Sequence, residues 1–228
     1  MDVIPIGGLC NRLRVICSYL SVARATGKSL TVWWNSTVDC PARFRELFCE
    51  PPNDLVIRED EPRPFGVVKT CDVYAKGDEP EWAVVAMEVL QPLPAIQARI
   101  DTILARLGPE FSAVHIRRTD HNARYDEDAA YVGFASTANH PCFCAADNPR
   151  SVVTLKRALG DRLVYGGAFK MTGIRMTELA DAVVDLWVAS HATRFRGTYW
   201  SSFSDWIDMM RRWRGLPAGD LSKIESAE

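Results

Sequence analysis

The stretch CFCAADNPRSVVTLKRALGDRLVY, residues 142–165, decides the fold. It opens on an apolar run that reads as a buried strand. Asp147, Asn148 and Pro149 then supply a helix start, with an N-cap and a proline in the first turn. The spacing predicts a helix over 150–159 that stops at Gly160, and a further strand over 162–165. Strand, helix and strand in this order imply a parallel α/β sheet.

The same alternation runs outward on both sides. Toward the C-terminus, residues 177–190 read as a helix, 194–196 as a short strand and 201–213 as a last helix. Toward the N-terminus, 94–107 read as a helix, 112–117 as a strand and 126–134 as helical. A breaker-rich region, 51–94, separates this half from an opening βαβ-like unit. There a strand over 3–6 meets the turn Gly7-Gly8-Leu9-Cys10-Asn11. A helix over 12–25, a glycine cap at Gly27 and a strand over 29–34 follow. Between the two halves, short strands are expected near 55–57, 66–69 and 84–89.

Composition bounds the function. The 228 residues are 47% hydrophobic and 25% charged, ordinary values for a globular chain with a sizeable core. Lys+Arg 27 against Asp+Glu 29 gives a net charge of −2, which speaks against a protein that coats nucleic acid. Any phosphate-binding charge must be local. The seven cysteines include no CxxC pair, so a zinc site is not indicated. The start MDVIPIGGLCNRLR lacks a basic region, a long apolar stretch and a cleavage site. No apolar run approaches the ~18 residues of a membrane span. A cytoplasmic, reduced protein is the expectation.

Three places could carry chemistry. In Val114-His115-Ile116-Arg117-Arg118-Thr119-Asp120, alternation puts His115 and Arg117 on one face of a strand and Arg118 on the other. The strand ends in two guanidiniums, whose planar forks suit phosphate oxygens, at the edge where α/β sheets bind ligands. Structural ion pairs are the plain alternative for both arginines. In Gly197-Thr198-Tyr199-Trp200-Ser201-Ser202, a hydroxyl-rich turn opens a helix whose N-terminus favours an anion; Ser201 or Ser202 could equally be only the N-cap. Asp185 stands in the apolar helix AVVDLWVA, either at a narrow solvent window or paired, because burying it alone is costly. The turn at Gly7 and Gly8 is a weaker candidate, lacking both GxGxxG and the Walker lysine.

Together, GGLCNRL, VHIRRTD, the helix with Asp185 and GTYWSSFS resemble the fucosyltransferase superfamily, and most closely its α1,2-, α1,6- and protein O-fucosyltransferase group. The resemblance covers the first 35 residues and about 110–213, with HIRRTD its most specific motif. It implies an α/β fold of GT-B type with two Rossmann-like lobes, an acceptor-side lobe over 1–108 and a GDP-sugar-binding lobe over 109–228. It implies an inverting transfer from GDP-fucose or another GDP-sugar to a glycan hydroxyl, with no bound metal or other cofactor. On the matching motifs, the resemblance implies that Arg117 grips the β-phosphate and that Arg118 supports the same site, with His115 beside them as a donor-binding residue. It implies that Asp185 accepts hydrogen bonds from guanine, that Thr198, Ser201 and Ser202 close on the diphosphate, and that Asn11 lies near donor sugar and acceptor.

There are departures. Cys10 stands where glycine is usual, and one extra residue lies between Gly197 and the serines. At the offset of the α1,6-type general base stands Tyr125, so Asp126, Glu127 and Asp128 are the candidates for that role, on a loop expected to face the junction of the lobes. Two other readings stay open. Asp126-Glu127-Asp128 satisfies DxD, the pattern of a metal-dependent GT-A-type transferase. The chain could also be a GDP-sugar or glycan-binding module without catalysis.

Overall fold

The computed structural model describes residues 1–59, 61–62, 65–74, 79–119, 128–167, 169 and 177–222. The chain divides into two compact units, Met1–Pro94 and Ala95–Glu228.

In the first unit, β1 (Asp2–Pro5), β2 (Leu30–Trp33), β3 (Leu55–Arg58) and β4 (Val68–Thr70) form a parallel sheet in the order β3-β2-β1-β4. Helix α1 (Leu9–Ala25) leads from β1 to β2. It starts earlier than the glycine turn suggested, taking in Leu9, Cys10 and Asn11. Gly27, at φ +66°, turns the chain out of it in the left-handed conformation that glycine adopts cheaply. Leu13, Ile16, Leu20 and Ala23 recur at helical spacing and are fully buried, as are Val3, Leu30 and Val32 of the sheet. Burying each of the larger side chains contributes roughly 1.5–3 kcal/mol.

One element differs from the sequence reading. The expected strand over 84–89 is part of helix α2 (Glu79–Val89). Its buried residues Trp82, Val85, Ala86 and Val89 follow a helical period, and α2 packs on α1. Arg24 of α1 ties this arrangement down, bonding Asp54 at 2.6 Å and Glu88 of α2 at 2.7 Å.

The second unit contains helix α3 (Pro94–Leu107) apart from its first residue. The division thus precedes α3, whereas the expected lobe boundary followed it. The helix buries Ile96 and Ile100, and its Arg99 pairs with Asp181 of the same unit. The sheet comprises β5 (Ser112–Ile116), β6 (Cys142–Ala146), β7 (Leu163–Tyr165) and β8 (Arg194–Arg196). All pairings are parallel, in the order β7-β6-β5-β8. Helices α4 (Asp128–Ser136), α5 (Pro149–Leu159), α6 (Leu179–Ala189) and α7 (Ser202–Trp213) accompany it. Asn148 caps α5, its side chain accepting from the N–H groups of Arg150 and Ser151 at 3.0 and 3.3 Å. Gly160 ends that helix.

The strand orders locate the ligand edges. From β5 the chain winds outward through β6 to β7, and β8 then adds on the other side. The carboxyl ends of β5 and β8 therefore flank a topological switch point, where open α/β sheets bind ligands. In the first unit the carboxyl ends of β1 and β4 do the same.

Candidate functional site

The residue that organises the second unit's switch point is Thr198, just beyond β8 and 1% exposed. Its hydroxyl donates to the His115 carbonyl at 2.9 Å and accepts the Arg117 backbone N–H at 3.1 Å. The Tyr131 hydroxyl lies 2.9 Å away. A threonine hydroxyl has one proton, here given to His115, so Tyr131 supplies the proton of that third bond. The Thr198 N–H donates to Ser204 Oγ at 2.9 Å, and His115 Nδ1 lies 2.7 Å from the same oxygen. Phe203 stacks on the His115 ring at 4.4 Å between centroids. The end of β5 is thus riveted to the first turn of α7. His115 lies inside this rivet, where it positions α7.

Arg117 follows β5 and is half-buried at this edge. The turn beyond it is held by Asp147, just past β6. The Asp147 carboxylate accepts from the backbone of Arg118 at 2.8 Å and of Thr119 at 3.0 Å, and from the Thr119 hydroxyl at 2.8 Å. The Arg117 side chain therefore leaves a backbone fixed on both sides.

Arg118 makes a structural ion pair. Its guanidinium pairs with Asp128 at 2.8 Å and lies over the Tyr131 ring at 5.8 Å. Asp128 also accepts from the Ser151 hydroxyl at 3.0 Å. Its carboxylate is engaged by two donors. Asp126 and Glu127 lie outside the described residues.

Ser201 is the N-cap of α7, yet its side chain makes no cap hydrogen bond. The residue is fully buried, and its hydroxyl has no partner among the described residues. A buried hydroxyl without a partner costs free energy, and here it stands at the positive end of a helix of 12 residues. Ser202 is the first residue of that helix. This is a place ready for an anion.

Asp185, on α6, is only 6% exposed, so the solvent window envisaged from the sequence is nearly closed. Its Oδ1 has no hydrogen-bond partner among the described residues. Burial pushes its carboxyl well above the usual range, the nearby Asp181 carboxylate adds to the shift, and Arg99 opposes it. Gly166, just after β7, lies against this oxygen; a Cβ there would be 2.8 Å from Oδ1. Glycine is what admits the carboxylate. Gly166 and the end of β5 share one sheet edge, two strands apart, about 10 Å at ~4.8 Å per strand. A nucleoside diphosphate can bridge that distance.

Asn11 lies in the first unit. It lines a cavity of about 350 Å³ at that unit's switch point, with Gly7, Asn35, Asp39 and Lys69. Arg12, on the cavity wall, is 1% exposed and stitches the surrounding loops together. It donates to the carbonyls of Gly7 at 2.9 Å and Asn35 at 2.7 Å, and to the Thr37 hydroxyl at 2.7 Å. The sequence reading passes over Arg12, Tyr131, Asp147 and Ser204. Only Asp147, a carboxylate at a strand end, leaves a usable signal, and the helix-cap motif around it hides that signal.

Among the described residues, no group of three His, Cys, Asp or Glu side chains could hold a metal ion. Among them, too, no helix is long and apolar enough to cross a membrane.

No family model matches the sequence, and no curated protein matches it. Solved structures do share the fold. NodZ alpha-1,6-fucosyltransferase, soaked with GDP-fucose, is 16% identical with a TM-score of 0.64, covering 92% of this chain and 92% of its own. POFUT1 in complex with GDP is 14% identical with a TM-score of 0.60, covering 96% of each chain. FUT1 of Arabidopsis thaliana, in complex with GDP, is 11% identical with a TM-score of 0.63, covering 94% of this chain and 68% of its own. At these identities the likeness is one of fold. The chain has the expected α/β architecture of GT-B type, with two Rossmann-like units.

Proposed function

We propose that this chain is a glycosyltransferase that moves fucose, or a related sugar, from a GDP-sugar to a glycan hydroxyl. The observation that carries the reading is the buried Ser201 hydroxyl, without a partner among the described residues, at the N-terminus of α7, riveted beside Arg117 at the switch point. The GDP and GDP-fucose in the similar structures support the donor class.

In this reading the diphosphate lies at the ends of β5 and β8, held by Arg117 and the α7 N-terminus with Ser201 and Ser202. The guanine lies toward β7, where Asp185 accepts its two N–H donors. The acceptor hydroxyl attacks the anomeric carbon on the face opposite the diphosphate. The C–O bond to phosphate breaks, GDP leaves with the electron pair, and the configuration inverts. The transition state is oxocarbenium-like, as in glycoside hydrolysis. Charge appearing on GDP meets Arg117 and the helix dipole, fixed beforehand, and so needs no cation. The hydroxyl proton passes to a carboxylate.

Asp126 and Glu127 are the first candidates for that base. Asp128 ranks behind them because Arg118 and Ser151 already occupy it. The same engagement weakens the DxD, metal-dependent reading.

The test is a thermal-shift screen of nucleoside diphosphates and nucleotide sugars. Selective stabilisation by GDP and GDP-fucose is expected. An equal response to UDP and ADP, or none to any nucleotide, would overturn the donor assignment.

A further inference from the structure

Trp200 is the only non-glycine residue with a positive φ among the described residues, at +56°. It is also 80% exposed. A singly exposed aromatic residue is ordinary, and so carries no argument. A tryptophan held in the left-handed region is not ordinary, because its Cβ crowds the carbonyl and glycine or asparagine would fit there with less strain. Both features have one local cause. Thr198 on one side and Ser201 on the other are buried, with 1% and 0% exposed. Thr198 is further pinned to β5 and α7 through His115 and Ser204. Of the two residues between these anchors, Tyr199 stays half-buried, its ring 5.9 Å from that of Trp200, and Trp200 is turned outward. The fold thus tolerates strain to present its largest type of aromatic ring beside Ser201. Backbone strain of this kind gathers at ligand sites.

The chemistry of the ring and its place narrow the ligand. The guanine is assigned toward β7 and the diphosphate to β5 and β8; the turn with Trp200 follows β8, at the far end of the strand order, so the group nearest it is what the terminal phosphate carries. In a GDP-sugar that is a pyranose. One face of a pyranose presents C–H bonds, which carry slight positive charge and fit the negative face of an indole. We infer that Trp200 is a stacking platform for the donor's pyranose ring, by which the protein distinguishes a GDP-sugar from GDP. The inference rests on the GDP-sugar reading.

The experiment compares binding of GDP and GDP-fucose, read before turnover consumes the donor. The proteins are the wild type, Trp200→Gly and Trp200→Phe. The wild type should bind GDP-fucose about fivefold more tightly than GDP, the scale of one aromatic contact. Trp200→Gly should bring that ratio to about one while GDP affinity stays within about twofold and the melting temperature rises, since glycine relieves the strain. Trp200→Phe should recover most of the ratio, because a stacking face remains. A wild-type ratio near one, or an unchanged ratio in Trp200→Gly, overturns the platform and leaves the GDP reading standing. Failure of the wild type to bind GDP overturns both.

Discussion

Without nucleotide, Asp185 stays neutral at pH values where an ordinary aspartate is ionised, because burial raises its pKa. The unfolded chain gives up that proton in the usual carboxylate range, while the folded chain holds it. The stability Asp185 contributes is therefore complete at low pH and falls as pH rises toward the raised folded value. Asp185→Asn should remove this slope and make the nucleotide-free protein more stable at neutral pH, as melting temperatures across pH 4–8, a window of about four units from the unperturbed carboxylate pKa, would show. Guanine N–H donors favour the ionised form, so GDP affinity should rise with pH over that window. The asparagine variant should lose both this rise and the preference for GDP over UDP and ADP, because an amide offers one acceptor where the carboxylate offers two. A ranking of nucleotides that survives the substitution would remove Asp185 from the site. Arg117→Ala should act differently. The bond from residue 117 to Thr198 is made by the backbone and persists. GDP binding should weaken by about 1.5–3 kcal/mol, the worth of a charge-assisted contact, with the fold intact. Calorimetry and a denaturant curve on the same protein separate the two effects.

Helix α7 is positioned by Thr198 more than by any cap of its own. Thr198→Val keeps the shape but leaves the His115 carbonyl, the Arg117 N–H and the Tyr131 hydroxyl without that partner. A loss of about 3 kcal/mol in a denaturant curve is expected, together with weaker GDP binding. Elements around this rivet were legible in the sequence for local reasons. β6, α5 and β7 are a short apolar run, an Asn148-Pro149 start and a Gly160 stop, signals that need no tertiary context. Helix α2 was not legible, because its valines imitate a strand and the helical set begins only at Trp82. Arg117 and Thr198 could be named from their motifs, yet nothing local says that they bond across 81 residues. The partner of Arg118 was hidden for the same reason. Asp128 lies 10 positions on, across a loop, and a DxD pattern does not reveal an ion pair.

At the scale of the molecule, the two units repeat one pattern of strand order and each opens a switch point. Asp126→Asn and Glu127→Gln should be assayed for transfer and for GDP affinity. The base among them should lose about 10²–10⁴-fold in turnover with GDP binding intact. Asp128→Asn should instead lower stability by about 1–3 kcal/mol, since it leaves the guanidinium of Arg118 short of its partner. If both of the first two retain turnover, the base lies outside this loop. The rivet at Thr198 also bears on how the protein is made. His115 and Ser204 are 89 residues apart, and the later one lies in the last helix. Contacts so distant along the chain must first overcome the entropy of closing a long loop, and they form slowly. A nascent chain can hold β5, β6 and β7 before β8 and α7 have left the ribosome, and the site proposed for the nucleotide is then incomplete. Ligand capture should therefore lag the gain of helical signal during refolding, and GDP should speed only the final phase.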